Sequence, residues 1–338
     1  MPPRSGRRSD PRSRGRVVVR LRHVEPYTSP GYTRRRSGKG FRYLDGAGRA
    51  LESDERARAE ALVIPPAWTD VWIADRPNAH ILAVGVDDAG RRQYIYHPDW
   101  TAARDAVKFD RMRELAAALP TARGRVTRDL AVEGLSRERV LATSFRLLDL
   151  VAVRVGAEAY FEANGSFGLS TLLVRHVKLD GEVMRLAFPA KSGQKMQAEV
   201  TDAALAAVSA ELLERTPRSR YLAWQDENRF RALGGAQINE YVRTATGGDF
   251  TAKDFRTLRG TIAAASALAA AGPASSEREA KQAVRAAVVA ASEVLGNTPT
   301  VAKGSYIDPT VIDRYLAGET IALTGSPEKA LLALYERD

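Results

Sequence analysis

Apolar and polar positions alternate in the first third of the chain and recur with a period near 3.6 after it, so the two parts predict different structure. Val71-Trp72-Ile73, Ala79 to Val86 and Gln93 to His97 read as strands, the last two joined by the turn Asp87-Asp88-Ala89-Gly90. In Gln93-Tyr94-Ile95-Tyr96 the alternation puts Tyr94 and Tyr96 on one face. Residues 51–62 read as a short helix stopped by Pro65-Pro66. From Trp100 onward the spacing predicts helices over 101–119, 136–163, 202–214, 226–245, 254–271 and 276–295, with another near 327–337. Ser276-x-x-Glu279 supplies a capping box for the sixth. β-type runs interrupt this series at Thr171–Leu179, Val183–Phe188 and Met196–Val200, with turns at Asp180-Gly181 and Lys191-Ser192-Gly193-Gln194-Lys195. The expected fold is α+β. A small, mostly β domain spans 16–100, and a mainly α-helical domain spans 101–338 with a β insertion at 171–200.

Charge changes the picture at the N-terminus. The 338 residues include 51 Lys/Arg and 41 Asp/Glu, a net charge of +10. Residues 1–42 hold thirteen of the basic and two of the acidic residues, which leaves 38 basic and 39 acidic in the remainder. The excess is therefore an N-terminal property, suited to a polyanion and most simply to nucleic acid; a solvated basic tail is the plainer reading. Residues 1–15, rich in Pro, Arg, Ser and Gly, read as a disordered tail, with structure beginning at Val17-Val18-Val19. In Arg34-Arg35-Arg36-Ser37-Gly38-Lys39-Gly40-Phe41-Arg42-Tyr43 the basic residues interleave with aromatics, as in a loop that touches phosphates.

Composition narrows the chemistry further. With no cysteine, disulfides, thiolate metal sites and cysteine nucleophiles are excluded, and a reducing cytoplasm fits. The four histidines show no metal-ligand spacing. There is no P-loop and no paired-carboxylate site. No run of 18 apolar residues predicts a transmembrane helix, and no apolar segment follows the basic N-terminus as in a secretory signal.

Five residues remain as candidates for chemistry. Arg154 falls inside an apolar predicted helix, where a guanidinium is costly unless paired or facing a site; Asp149 and Glu158 are available partners. Lys191 sits at a turn tip, where it is otherwise simply solvated. Arg256 opens an Ala-rich helix whose N–H groups favour anions, with Asp254 as a local counter-charge. Gly296 ends a helix and Pro299 prevents its continuation, so Asn297 and Tyr306 lie in what reads as an inter-helix loop. Each residue alone has an ordinary structural explanation.

In order and spacing, these residues resemble the type IB DNA topoisomerases of the small poxvirus-like and bacterial branch over roughly residues 30–320. The motifs are Gly90-Arg91-Arg92-Gln93-Tyr94-Ile95-Tyr96, Arg154-Val155-Gly156 with Tyr160, and Phe167-Gly168-Leu169-Ser170-Thr171-Leu172. They continue through Lys191-Ser192-Gly193, Lys253-Asp254-Phe255-Arg256-Thr257, Gly296-Asn297-Thr298-Pro299 and Lys303-Gly304-Ser305-Tyr306. The resemblance implies two domains that clamp duplex DNA and a monomer sufficient for relaxing supercoils. It makes Tyr306 the nucleophile that forms a 3′-phosphotyrosine. Arg154 and Arg256, with Asn297 in a third position, become phosphate ligands. Lys191 becomes the general acid for the 5′-oxygen, on a mobile hairpin, and Lys253 either assists it or contacts the DNA backbone. Gln93, Tyr94, Tyr96, Tyr160 and Thr171 fall at DNA-contacting positions. No cofactor, ATP, metal or membrane is implied, and the setting is cytoplasmic, at a bacterial nucleoid. The chain departs from the poxvirus pattern in having Asn297 for histidine, Ala190 for glycine and Ser192 for an acidic residue; asparagine donates a hydrogen bond but carries no charge.

Two other readings compete. A tyrosine recombinase uses the same transesterification, but its usual His-x-x-Arg box is Lys253-x-x-Arg256 here, and its arm domain is usually helical. A catalytically silent DNA-binding protein accounts for the basic arm but not for Arg, Lys, Arg and Tyr in that order.

Overall fold

A computed structural model describes residues 20–156, 158, 161–162 and 165–337. The tail at 1–15, the start at Val17, Tyr160 and the end of the helix expected over 136–163 lie wholly or partly outside those residues. The chain divides into two compact units, residues 1–107 and 108–338.

The first unit is a five-stranded antiparallel sheet in the order β2-β1-β3-β4-β5. Its strands are β1 (Gly31–Ser37), β2 (Gly40–Leu44), β3 (Thr69–Ala74), β4 (Ile81–Val86) and β5 (Arg92–Tyr96). The helix α1 (Ser53–Ala61) lies between β2 and β3 in sequence. The basic stretch expected as a loop is the β1–β2 hairpin, with Arg34 opposite Tyr43 and Arg35 opposite Arg42. Its alternation was hidden because a charge occupies an inward position. Arg34 is 8% exposed and donates to the carbonyls of Ile64 (2.8 Å), Pro65 (2.9 Å) and Trp68 (2.8 Å). Three main-chain acceptors and the Phe41 ring, 4.1 Å from the guanidinium carbon, make that burial tolerable. Tyr32, Ile73 and Ala83 pack with α1 on one face, while Thr33, Trp72, Val84 and Tyr94 align across the other.

Helix α2 (Pro98–Leu130) runs straight through Pro120, where the sequence reading ended it. A proline removes one helix hydrogen bond. Here Leu115, Leu119, Ala122 and Val126 are fully buried on one stripe, and that burial outweighs the loss. Helix α3 (Arg137–Val151) is shorter than expected: Ala152 turns left-handed (φ 53°, ψ 34°), and the chain leaves the helix before Arg154. The apolar run Val151-Ala152-Val153 is buried on both sides of the boundary, so hydrophobicity could not mark it.

The β insertion begins later than predicted. Single 3-10 turns occupy Leu169–Thr171 and Val174–His176, and then β6 (Val177–Asp180), β7 (Val183–Pro189) and β8 (Lys195–Thr201) form an antiparallel sheet. Next comes α4 (Ala203–Leu213). The helix expected over 226–245 is instead a hairpin, β9 (Ala223–Asp226) and β10 (Arg229–Ala232), followed by α5 (Gly235–Thr246). Glu227 takes a positive φ of 51° at the hairpin turn, which a helical pattern does not foresee. The remaining helices are α6 (Ala252–Ala271), α7 (Glu277–Leu295), α8 (Pro299–Ser305), α9 (Pro309–Leu316) and α10 (Pro327–Tyr335). Ser276 caps α7, its hydroxyl accepting from the Glu279 N–H at 3.2 Å, while the Glu279 carboxylate takes the Ser275 N–H at 2.8 Å. One core joins these elements, with Met112, Leu119, Phe145, Leu148 and Phe255 fully buried in it. None of the described helices is long and apolar enough to cross a membrane.

Candidate active site

Helix α6 organises the second unit's polar centre. Thr251 and Asp254 cap its first turn: the Asp254 carboxylate accepts the Thr251 N–H at 2.8 Å and the Arg111 guanidinium at 3.1 Å. Asp254 is therefore occupied, and Arg256, one turn into the helix and 3% exposed, finds other partners. Its Nη1 donates to the Ala152 carbonyl at 2.6 Å and its Nη2 to the Leu295 carbonyl at 2.9 Å. One guanidinium thus joins the ends of α3 and α7, the two segments that lead to Arg154 and Asn297.

Arg154 is fixed by a crossing of two backbones. Its carbonyl accepts the Leu169 N–H at 2.8 Å, and the Val155 carbonyl accepts the Ser170 N–H at 2.7 Å. The approach is close enough that a Cβ on Gly168 would fall 2.5 Å from the Gly156 Cα. Both carboxylates available to Arg154 in sequence are engaged elsewhere. Asp149 binds Arg123 at 2.7 Å and Arg259 at 2.8 Å, and Glu158 pairs with Arg220. Arg154 instead donates to the side-chain oxygen of Asn297. That bond directs the Asn297 amide. Buried Arg256 Nε and Asn297 Nδ2 have no hydrogen-bond partner among the described residues.

Tyr306 stands at the C-cap of α8, not in an open loop, and its N–H donates to the Ala302 carbonyl at 3.0 Å. Its ring centroid is 4.9 Å from the Arg256 guanidinium carbon. Burial pushes the Tyr306 phenol up, but the charge of Arg256, with further contributions from Arg154 and Lys253, outweighs it and leaves the phenol below the ordinary tyrosine value. Burial and the Arg154 charge beside it lower Arg256, against an opposing effect of Tyr306. The centre is a cationic pocket of hydrogen-bond donors around a phenol, suited to a tetrahedral oxyanion.

The structure thus brings together Arg154, Arg256, Asn297, Tyr306 and, on the exposed start of α6, Lys253. Lys191 is exposed, in the 3-10 turn Lys191–Gly193 at the β7–β8 tip. Next to that tip, on β8, the Met196 sulfur lies 3.1 Å from where a Cβ on Gly296 would sit. Thr171, expected at a DNA-contacting position, lies in the 3-10 turn Leu169–Thr171. It is fully buried, and its hydroxyl closes a turn by accepting the Gly168 N–H at 2.9 Å. Gln93, Tyr94 and Tyr96 belong to the sheet of the first unit. The Gln93 amide donates to Asp87 at 2.8 Å, Tyr94 is 41% exposed, and the two tyrosine rings stack at 5.8 Å.

Sequence reasoning missed the supports. Arg123 and Arg259 clamp buried Asp149 and Glu328, tying α2, α3, α6 and α10 together behind the centre. Gly260 and Thr261 touch the Tyr306 main chain. A glycine within an alanine-rich helix was the one signal available for them. No group of three or more His, Cys, Asp or Glu able to hold a metal occurs among the described residues.

A β-rich unit is thus followed by a helical unit that gathers two arginines, an asparagine and a tyrosine at one cationic centre. Residues 97–317 match the family model described as the catalytic core of eukaryotic DNA topoisomerase I, and residues 40–87 match the N-terminal domain of bacterial DNA topoisomerase IB. A DNA topoisomerase 1B of Acanthamoeba polyphaga mimivirus is 30% identical over 244 residues, which cover 70% of this chain and 72% of that protein. The chain belongs to the type IB DNA topoisomerase family. It is an isomerase acting on DNA, and neither the recombinase nor the silent DNA-binding reading is favoured.

Proposed function

We propose that Tyr306 is the nucleophile by which this enzyme relaxes supercoiled duplex DNA. The Tyr306 oxygen attacks the scissile phosphorus, the bond from phosphorus to the 5′-oxygen breaks, and a 3′-phosphotyrosyl ester forms beside a 5′-hydroxyl. The observation that carries this reading is the pair of unpartnered buried donors, Arg256 Nε and Asn297 Nδ2, in the cationic pocket that holds Tyr306. Non-bridging phosphate oxygens would satisfy both donors and would be held by Arg154 as well. Lys191 delivers a proton to the leaving 5′-oxygen from the hairpin tip, and Lys253 contacts the adjacent backbone or assists that transfer. The cut strand swivels, and the 5′-hydroxyl then reverses the ester. The ester conserves the energy of the phosphodiester, so no ATP is consumed. Gln93, Tyr94 and Tyr96 contact DNA from the first unit. A monomer suffices for this chemistry, and the setting is the cytoplasm, at a nucleoid.

The test is relaxation of a negatively supercoiled plasmid in EDTA without ATP, comparing wild type with Tyr306→Phe. Wild type should relax the plasmid and leave a denaturant-trapped covalent adduct, and the variant should do neither. An adduct formed by Tyr306→Phe would refute the assignment. Lys191→Ala should slow cleavage of ordinary DNA far more than cleavage at a 5′-bridging phosphorothiolate; equal slowing would remove Lys191 from the acid role.

A further inference from the structure

The family match ends at residue 317, yet α10 lies beyond it and reaches the segment that follows Tyr306. The Tyr335 hydroxyl donates to the Asp308 carboxylate at 2.8 Å. Asp308 is 2% exposed. It caps α9 by accepting the Thr310 N–H at 2.9 Å and has the Arg113 guanidinium 3.7 Å away. Its own N–H donates to the Thr261 hydroxyl at 3.1 Å, and the same hydroxyl donates to the Tyr306 carbonyl at 3.1 Å. One fully buried hydroxyl therefore pins the main chain on both sides of Ile307, itself 2% exposed. At the preceding position a Cβ on Gly260 would lie 2.9 Å from the Tyr306 carbonyl oxygen and 3.1 Å from its Cβ, so the glycine allows α6 to touch the tyrosine backbone directly.

We propose that Gly260 and Thr261 form a seat for Tyr306, and that Tyr335 of the C-terminal helix locks it through Asp308, so that these four are positioning residues for strand cleavage. The inference rests on the reading of Tyr306 as the nucleophile. Its physical basis is that α6 also carries Arg256. One rigid helix then sets the distance between the attacking oxygen and the cation that receives the phosphate, a geometry in which small displacements are costly to rate. The C-cap position of Tyr306 alone would not fix it, because helix ends fray and α8 has only seven residues. Burial, together with the Asp308 carboxylate, pushes the Tyr335 phenol up, so it remains a donor across the working range.

The experiment is single-turnover cleavage of a duplex whose leaving strand is lost on cutting, using the full chain. Thr261→Val, Thr261→Ser and Tyr335→Phe are compared with wild type. Non-covalent DNA affinity is measured for each in a Tyr306→Phe background, and thermal unfolding is followed in parallel. Thr261→Val, which removes both bonds of the hydroxyl, should cleave about tenfold more slowly or worse, and Tyr335→Phe, which removes one, about threefold more slowly. Affinity should stay within about twofold, since neither residue touches DNA in this scheme. Thr261→Ser, which keeps the hydroxyl, should restore most of the rate. Wild-type cleavage by folded Thr261→Val or folded Tyr335→Phe would overturn the proposal, as would a rate loss that serine does not rescue or that affinity matches. If Thr261→Val does not fold, Tyr335→Phe decides. An adduct in Tyr306→Phe would sink the nucleophile assignment as well; loss of that adduct alongside normal cleavage by the other variants would sink this proposal alone.

Discussion

Replacing Arg256 with alanine should impair the enzyme twice, and the two parts are separable. In the structure the guanidinium satisfies the carbonyls of Ala152 and Leu295. Alanine leaves both without that donor, at about 1–3 kcal/mol for each acceptor left buried and unsatisfied. Part of this is returned, because a positive charge disfavoured by burial and by Arg154 is also removed. A net loss of about 2 kcal/mol in unfolding free energy is expected, readable in a urea titration. Chemistry should lose more. One donor missing from a developing oxyanion costs about 10²–10³ in rate. Ala152 lies two residues before Arg154 and Leu295 two before Asn297, so Arg256 also sets where those residues sit. Cleavage rates of wild type, Arg154→Ala, Arg256→Ala and the double variant should therefore be non-additive, with a coupling of about 0.5–3 kcal/mol. Single-turnover cleavage of a suicide duplex measures all four rates. Additivity within about 0.5 kcal/mol would show that the arginines act independently and refute the argument that Arg256 assembles the centre.

Three further outcomes follow from named contacts. Asn297→Ala should slow cleavage by about 10²-fold through the loss of one donor, and Asn297→Asp should be slower still, because its carboxylate would pair with Arg154 and repel phosphate; cleavage kinetics that reverse this ranking would place the amide outside the phosphate site. The Tyr306 phenol is held below its ordinary 10.0, chiefly by Arg256 against the opposing effect of burial, so its phenolate should appear below that pH and any stability gained from ionisation should vanish as pH falls through the lowered value; an ultraviolet difference titration of wild type minus Tyr306→Phe measures this, and Arg256→Ala should move it upward. Burial pushes the Glu328 carboxyl up, but bonds from Arg123 and Ser326 outweigh it and hold it at about 2 rather than 4.5, so its contribution should be whole above pH 4.5 and lost as pH falls toward 2; Glu328→Gln should lower stability at neutral pH by at most about 3 kcal/mol and flatten acid unfolding over that range.

The sequence by itself placed the chain in its family. A β-patterned third before helical patterning and the absence of cysteine are properties of composition and spacing, and the order of Arg154, Arg256, Asn297 and Tyr306 carried the resemblance. One helix start was legible because its cap is local: Ser276 caps through a bond to the residue three positions on. Distant contacts decided the rest. Pro120 remains helical because four buried side chains hold its helix, and Arg34 points inward because three carbonyls from another segment meet it. α3 stops at Ala152, whose carbonyl is held by Arg256 from 104 residues away. Thr171 is a turn residue and Tyr306 a helix cap; no period in the sequence distinguishes either from an exposed ligand or a loop residue. Spacing names the groups that carry charge. Only the folded chain, by burying them among specific carbonyls and carboxylates, determines which are already neutralised and which donors remain for a phosphate.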